Sequence, residues 1–144
     1  LGESHDCRTR DEPLPGAVDL EAARQHLESF PSLSPRCIER LLAVYGSRAT
    51  TIADGIDAGF VDEARTVLAA EIAFVIRTEF AVTLIDIMHR RTMLGLAADQ
   101  GRELVDEVAS LAATELAWDK AETARQLEAF RKYNDQLQAP AAAE

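Results

Sequence analysis

The chain has 144 residues and a mass of 15.8 kDa, and its 15 Lys and Arg against 25 Asp and Glu give a formal net charge of -10. Hydrophobic residues make up 47% of it and charged residues 28%, values that fit one globular core and exclude disorder over most of the length. The negative charge, without a strong basic cluster, excludes generic binding to nucleic-acid phosphates and to anionic membrane surfaces.

The sequence carries no pattern for secretion or membrane insertion. The two cysteines, Cys7 and Cys37, form no disulfide framework, which favours a reducing, cytoplasmic compartment. No window approaches the roughly 18 consecutive apolar residues of a membrane-spanning helix. Residues 1–7 lack an initiator Met and the basic and apolar pattern of a signal peptide, so this start fits a piece of a longer protein.

The first 18 residues are predicted to form an extended leader. They are polar and are interrupted by Pro13 and Pro15, which resist helix formation. From Asp19 the apolar residues follow a helical period, and Asp19 itself is of the type that caps a helix N-terminus. The first helix is therefore predicted from Asp19 to Pro31.

A second helix is predicted to begin at Ser34 and Pro35, which are a capping residue and a proline suited to the first helical turn. Gly46 supplies the left-handed stop that ends it. A weaker helical stretch follows through Ile52.

Ser34 to Ile56 also has the outline of a helix-turn-helix. Its second element carries a single basic side chain, Arg48, and acidic residues lie in or near the unit. A recognition helix needs donors for phosphates and base edges, so the sequence disfavours DNA binding.

The segment 62–92 is predicted to be the central helical element. Thr83 followed by Asp86 forms a possible capping box, which predicts two helices in near-continuation with a bend around Ala81 to Thr83. One predicted stripe comprises Ile72, Ile76, Phe80, Leu84, Ile87 and Met88. Phe74, Val82 and Ile85 place apolar groups on other sides, as a helix packed between neighbours requires.

Two more helices complete the predicted fold. One runs from about Asp99 to Leu116, and Asp119 with Glu122 caps the other, which carries Phe130 inward. Residues 139–144 are predicted to be a frayed tail. The sequence thus predicts an all-α fold, a single compact domain of about six helices over residues 19–138.

The sequence offers no catalytic constellation. It has no Gly-rich phosphate loop, no dinucleotide fingerprint, no nucleophile elbow and no paired-Cys site. His5, His26 and His89 are too scattered to form a ligand set, so no metal is predicted. Trp118, just before the last helix, is interpreted as a packing residue.

Charged residues inside the most apolar segment are the unusual feature. Unpaired charges in partly dry surroundings cost several kcal/mol, so pairing is expected. One interpretation is an internal salt-bridge network, and the other is that Arg90 and Arg91 face a partner surface, where an arginine fork suits carboxylates. The candidate ion-pair or interface residues are Glu71, Glu79, Asp86, Arg90, Arg91 and Thr92.

Several short motifs occur in a fixed order along the chain: Pro13-Leu14-Pro15-Gly16-Ala17, Tyr45-Gly46-Ser47-Arg48, Ala70-Glu71-Ile72 with Arg77-Thr78-Glu79, Thr83-Leu84-Ile85-Asp86 leading to Arg90-Arg91-Thr92, and Glu115-Leu116-Ala117-Trp118-Asp119. This order and spacing over residues 13–133 resembles the C-terminal helical domain of FAD-dependent glycerol-3-phosphate dehydrogenases and α-glycerophosphate oxidases. Ala117 departs from the pattern, since Gly is common there.

The resemblance implies a parent enzyme that oxidises sn-glycerol 3-phosphate to dihydroxyacetone phosphate at FAD and passes electrons to quinone or oxygen. It also implies that FAD and substrate bind to a large N-terminal part, which would be the partner of this domain. The chain itself is then expected to bind no cofactor and to have no activity. The parent family is often peripheral on the cytoplasmic face of the membrane, and self-association of the domain stays open.

A second hypothesis is a free-standing acidic helical module for protein interaction or regulation. The reading frame upstream of Leu1 discriminates the two. A Gly-x-Gly-x-x-Gly strand-turn-helix in the same frame supports the accessory domain, whereas a stop codon and promoter support the free-standing module.

Overall fold

The computed structural model describes residues 11–62 and 66–137. His5, Cys7 and the predicted tail 139–144 lie outside these ranges. In the described residues the regular structure is helical apart from one isolated β-bridge between Phe60 and Leu68. The all-α prediction is therefore confirmed, with six α-helices in the described part of the chain.

The six α-helices are α1 (Leu20–Glu28), α2 (Pro35–Tyr45), α3 (Ala49–Ala53), α4 (Ala69–Glu79), α5 (Val105–Leu116) and α6 (Lys120–Leu137). Short 3₁₀ helices cover Gly46–Arg48, Ile56–Ala58 and Leu94–Leu96, and a π-helix covers Asp86–Arg91. None of the helices in the described ranges is both long and apolar enough to cross a membrane. The chain divides after Asp54 into two compact units, with α1 to α3 in the first and α4 to α6 in the second.

In the first unit, the predicted start of α2 is observed, whereas the predicted cap of α1 is not. The Ser34 hydroxyl accepts a hydrogen bond from the Cys37 amide at 3.2 Å, and Pro35 is the first helical residue, as predicted. Asp19 does precede α1, but its φ of 56° is left-handed and its side chain makes no capping bond. The predicted Asp19 side-chain cap is therefore wrong. The core of this unit includes Leu27, Cys37, Leu41 and Ile52.

The described end of the predicted leader folds against α2. Residues 14–17 form a turn in which the Ala17 amide donates to the Leu14 carbonyl at 2.9 Å, and the Ser47 amide donates to the Gly16 carbonyl at 2.9 Å. Gly46 ends α2 with a positive φ of 58°, so the predicted glycine stop is confirmed, although its ψ of -140° differs from the left-handed helical conformation. The segment 13–17, which is predicted to be extended because of its prolines, is thus held in place by the motif at residues 45–48.

The second unit is centred on α4, which breaks at Phe80. Phe80 adopts a left-handed φ of 56°, and the chain resumes helical structure at Leu84, close to the predicted bend. Because of this break, the residues after Phe80 do not continue the helical periodicity of α4. Ile72 and Leu84 of the predicted stripe are buried, but Phe80 is 85% exposed, so its predicted inward position is wrong.

α5 packs against α4, and α6 packs against α5. The forked side chain of Arg77 donates two hydrogen bonds of 2.8 Å to the Glu115 carboxylate and joins α4 to α5. α5 begins at Val105, six residues after the predicted start, because Gln100 and Gly101 have left-handed φ angles of 58° and 74°. The Asp119 cap of α6 is confirmed.

Candidate functional site

The predicted charged residues converge on an unusual element, the π-helix Asp86–Arg91. A π-helix takes one more residue per hydrogen-bonded turn than an α-helix and is frequent at functional sites. It contains Asp86, Arg90 and Arg91, and Thr92 follows it directly. Four of the six candidate residues therefore lie on or next to one short element.

Asp86 begins this element by closing a capping box with Thr83. Its Oδ2 accepts the Thr83 amide at 3.1 Å and the Thr83 hydroxyl at 2.7 Å, and the Asp86 amide donates back to Thr83 Oγ1 at 3.1 Å. Partial burial acts to raise the pKa of Asp86. Hydrogen bonds from Thr83, Arg90 and the Val82 amide outweigh the burial, and the pKa is lowered. Asp86 therefore stays ionised and fixes the start of the helical turn.

The two arginines of the π-helix make different contacts. Arg90 forms an ion pair with the other oxygen of Asp86, while more than half of its side chain stays in solvent. Arg91 donates from Nε to the main-chain carbonyl of Glu79 at 3.1 Å, with the Glu79 carboxylate 3.9 Å away. Arg91 thus ties the end of the π-helix to the end of α4.

The remaining two candidates are buried and structural. Glu71 is fully buried, and its Oε1 accepts the Leu68 amide at 2.8 Å at the start of α4. The Thr92 hydroxyl donates to the Ile87 carbonyl at 2.7 Å and closes the π-helix. Glu71 lies about 12 Å from Glu79 along the axis of α4, since the two are eight residues apart. The structure therefore brings Glu79, Asp86, Arg90 and Arg91 together and leaves Glu71 at the other end of the helix.

Two buried amides of α6 hold the π-helical segment from behind, and sequence reasoning missed both. The Gln126 side chain accepts the Leu84 amide at 3.1 Å and donates to Glu122 at 2.8 Å. The Asn134 side chain lies 2.7 Å from the His89 ring and donates to the Gln100 carbonyl at 2.9 Å. One feature of the sequence could have revealed them: Gln126 and Asn134 are eight residues apart and fall on the inward face of α6. A buried amide on that face needs a hydrogen-bond partner.

Exposed apolar side chains flank the arginines, and these were also missed. Phe80, Val82 and Met93 are each more than half exposed. Phe80 and Met93 both have left-handed φ angles, of 56° and 60°, and stand at the two ends of the segment that contains the π-helix. The surface formed by Phe80, Val82, Arg90, Arg91 and Met93 is referred to below as the 80–93 surface.

The other features singled out in the sequence lie elsewhere. Trp118 lines a hollow of about 430 Å³ between α5 and α6, together with Lys120 and Leu127. The His26 ring lies 2.8 Å from the Asp54 carboxylate in the first unit. Cys37 is buried in the same unit. Among the described residues, no group of three or more His, Cys, Asp or Glu side chains could hold a metal ion.

Comparison with known proteins places the chain in a wider context. A family model described as the C-terminal domain of alpha-glycerophosphate oxidase matches residues 7–123. No solved structure gives a significant match.

Two curated relatives share parts of the sequence. A glycerol-3-phosphate dehydrogenase of Synechocystis sp. (strain ATCC 27184 / PCC 6803 / Kazusa) is 26% identical over 140 residues, which cover 90% of this chain and 25% of that protein. The anaerobic glycerol-3-phosphate dehydrogenase subunit A1 of Haloferax volcanii is 40% identical over 76 residues, which cover 50% of this chain and 12% of that protein. The chain spans a quarter or less of the length of these relatives.

Proposed function

Because this chain belongs to the family of the C-terminal domain of alpha-glycerophosphate oxidase, we propose that it is the non-catalytic accessory domain of a flavin-dependent glycerol-3-phosphate dehydrogenase. The parent would oxidise sn-glycerol 3-phosphate to dihydroxyacetone phosphate and pass the two electrons through FAD to quinone. The observation that carries the proposal is the family match over residues 7–123. The relative lengths support it, since the Synechocystis protein is about four times as long as the region it shares with this chain.

The described residues of this domain do not fit a flavin. A flavin dinucleotide site needs glycines whose open faces let the pyrophosphate approach the backbone. At Gly95 the open face is filled by the His89 imidazole, and at Gly101 it is filled by the Met88 side chain. Gly59 has an open face, but no glycine lies two residues before or after it, as the Gly-x-Gly turn of a dinucleotide site requires. We therefore assign FAD and substrate binding to the remaining part of the parent and derive no catalytic step in this domain.

The domain would act by packing on the catalytic part of the parent, with Arg90 and Arg91 at or near the junction. Both arginine side chains are partly exposed. Arg91 bonds the carbonyl of the residue before the exposed Phe80, and the exposed Met93 follows Arg91 by two residues. That combination is typical of the core of a protein interface, where aromatic residues and Arg are enriched. From the family match we further propose that the parent is cytoplasmic and peripheral on the cytoplasmic face of the membrane.

The reading frame upstream of Leu1 tests this function. We expect it to encode a Gly-x-Gly-x-x-Gly strand-turn-helix, and we expect the complete product to be yellow and to reduce a redox dye with sn-glycerol 3-phosphate. The 144-residue chain mixed with FAD should give no dye reduction. A stop codon and promoter directly upstream would contradict the proposal and favour a free-standing interaction module, and dye reduction by the short chain would contradict its non-catalytic role.

A further inference from the structure

We propose that Phe80 is the anchor of the domain interface, inserting into an apolar hollow of the catalytic part that is bordered by carboxylates. This inference rests on the proposed function and names the surface and the chemistry of the partner. The 80–93 surface would supply the apolar anchor from Phe80, Val82 and Met93 and the cationic border from Arg90 and Arg91.

Phe80 is doubly unfavourable in the domain as it stands. Its side chain is 85% exposed, although burying a phenylalanine stabilises a protein. Its left-handed backbone is uncommon for a bulky residue and less favourable than the right-handed form. Backbone outliers of this kind persist where the surroundings fix them, and they cluster at functional sites. Burial in a partner would offset both costs.

The structure holds the Phe80 backbone firmly on both sides. On the N-terminal side, the Glu79 carbonyl accepts the Arg91 Nε hydrogen at 3.1 Å. On the C-terminal side, Ala81 is fully buried and its amide donates to the Val75 carbonyl at 3.3 Å. The backbone from which the ring projects is therefore fixed before any partner binds, and preorganisation of this kind lowers the entropy cost of association.

The charge around Phe80 favours a protein partner with carboxylates over a bilayer. Arg90 is paired with Asp86 and Arg91 with Glu79, but the two arginine side chains are 57% and 38% exposed against 16% and 23% for the two carboxylates. The exposed border of the surface therefore presents guanidinium groups rather than carboxylates. The chain as a whole carries a net charge of -10, which repels an anionic bilayer at a distance. A partner built into the same polypeptide meets these arginines at high effective concentration and needs no long-range attraction.

The occupant we assign is the catalytic part of the same polypeptide. This chain aligns with 25% of the Synechocystis relative, so about three quarters of that protein is available to cover exposed surface of the domain. Exposed apolar anchors beside arginine are typical of the centres of specific interfaces.

Photo-crosslinking in the full-length protein tests the proposal. Phe80 is replaced by p-benzoylphenylalanine, a close analogue of the native ring, and Leu14 of the first unit, which is 74% exposed, carries the same replacement as a control. Flavin-linked dye reduction verifies that each variant is folded. After irradiation, we expect position 80 to crosslink to peptides of the catalytic part at least fivefold more than position 14.

A charge substitution adds a second arm. In protein that carries p-benzoylphenylalanine at position 80, the additional substitution Arg90→Glu should lower the yield of crosslinks to the catalytic part at least fivefold. Arg131→Glu serves as its matched control, because the two side chains have similar exposure, 57% and 58%, and each is paired with one aspartate. Crosslinks at position 80 to a second copy, to added phosphatidylglycerol vesicles or only within the domain would overturn the inference.

The two proposals fail in distinguishable ways. If the upstream frame encodes no flavoprotein, the proposed function and the anchor role fall together. If the flavoprotein part is present and active but position 80 does not crosslink to it, the anchor role alone is wrong.

Discussion

Gly16 and Gly46 lie backbone against backbone in the first unit. A Cβ atom on Gly46 would overlap the Gly16 carbonyl oxygen, and one on Gly16 would lie 2.5 Å from the Tyr45 carbonyl oxygen. Both glycines have positive φ, 88° and 58°, and the Ser47 amide bonds to the same Gly16 oxygen. Two of the motifs that carry the family resemblance, around residues 13–17 and 45–48, are thus one structural contact.

Gly46→Ala should destabilise the protein by more than the backbone conformation alone requires. The left-handed φ costs about 1–3 kcal/mol for a residue with a Cβ, and the overlap with Gly16 adds the cost of displacing the turn at residues 14–17. Urea unfolding followed by circular dichroism measures the change. Gly59→Ala is the matched control, since Gly59 also has positive φ, 83°, and nothing within 4 Å of its added Cβ. Equal losses for the two variants would show that the contact with Gly16 contributes no stability.

Ala117→Gly should stabilise the protein by about 1 kcal/mol. Ala117 ends α5 with a left-handed φ of 53°, a position that glycine occupies without steric cost. Thermal unfolding would show a higher Tm. Ala124→Gly, at an exposed position inside α6, should instead cost about 1 kcal/mol. A lower Tm for Ala117→Gly would contradict the conformational argument.

Asp86→Asn should destabilise the protein by about 1 kcal/mol at neutral pH, because it weakens the capping box with Thr83. The pKa of Asp86 is lowered in the folded state, so its contribution is present above the ordinary Asp pKa of about 3.9 and is lost as the pH falls through the lower folded pKa. Unfolding free energies of variant and wild type should therefore converge as the pH falls from the ordinary Asp pKa through the lower folded pKa. Asp106→Asn, which removes an exposed carboxylate, should show no such convergence. A difference that stays constant down to pH 2 would argue against the ionised box.

Gln126→Leu should cost about 1–3 kcal/mol, because it leaves the buried Leu84 amide without its acceptor. Hydrogen exchange at the Leu84 amide should accelerate with it. Gln136→Leu, at an exposed position of the same helix, should change stability by less than about 0.5 kcal/mol. Unchanged exchange at Leu84 in the Gln126 variant would show that another group holds that amide.

The helix start signals were readable from sequence because their partners lie within three residues. The Ser34 cap, the Thr83 and Asp86 box and the Asp119 cap all form as predicted, with Asp119 accepting the Glu122 amide at 2.7 Å. Asp19 is of an equally favourable residue type, but the left-handed backbone at that position turns its side chain away from the first turn.

The errors have a different physical origin, since they concern features set by tertiary contacts. The predicted stripe keeps the helical phase through Phe80 and places the bend after it, whereas the left-handed break lies at Phe80 itself and leaves this residue exposed. The late start of α5 has the same origin, because Gly101 sits where the Met88 side chain packs. The partners of Gln126 and Asn134 lie 42 and 45 residues away, a distance that no local pattern reports.

The contact between His89 and Asn134 has an evolutionary corollary. Asn134 is fully buried and the His89 ring is partly buried, so the ring supplies a partner to an amide that lies away from solvent. A mutation of His89 removes that partner, so lineages should tolerate a change at 89 more readily when residue 134 changes with it. Sequence change at position 134 of α6 is in this way coupled to sequence change at position 89, which lies 45 residues earlier in the chain. Related sequences that keep this packing should show paired substitutions at the two positions.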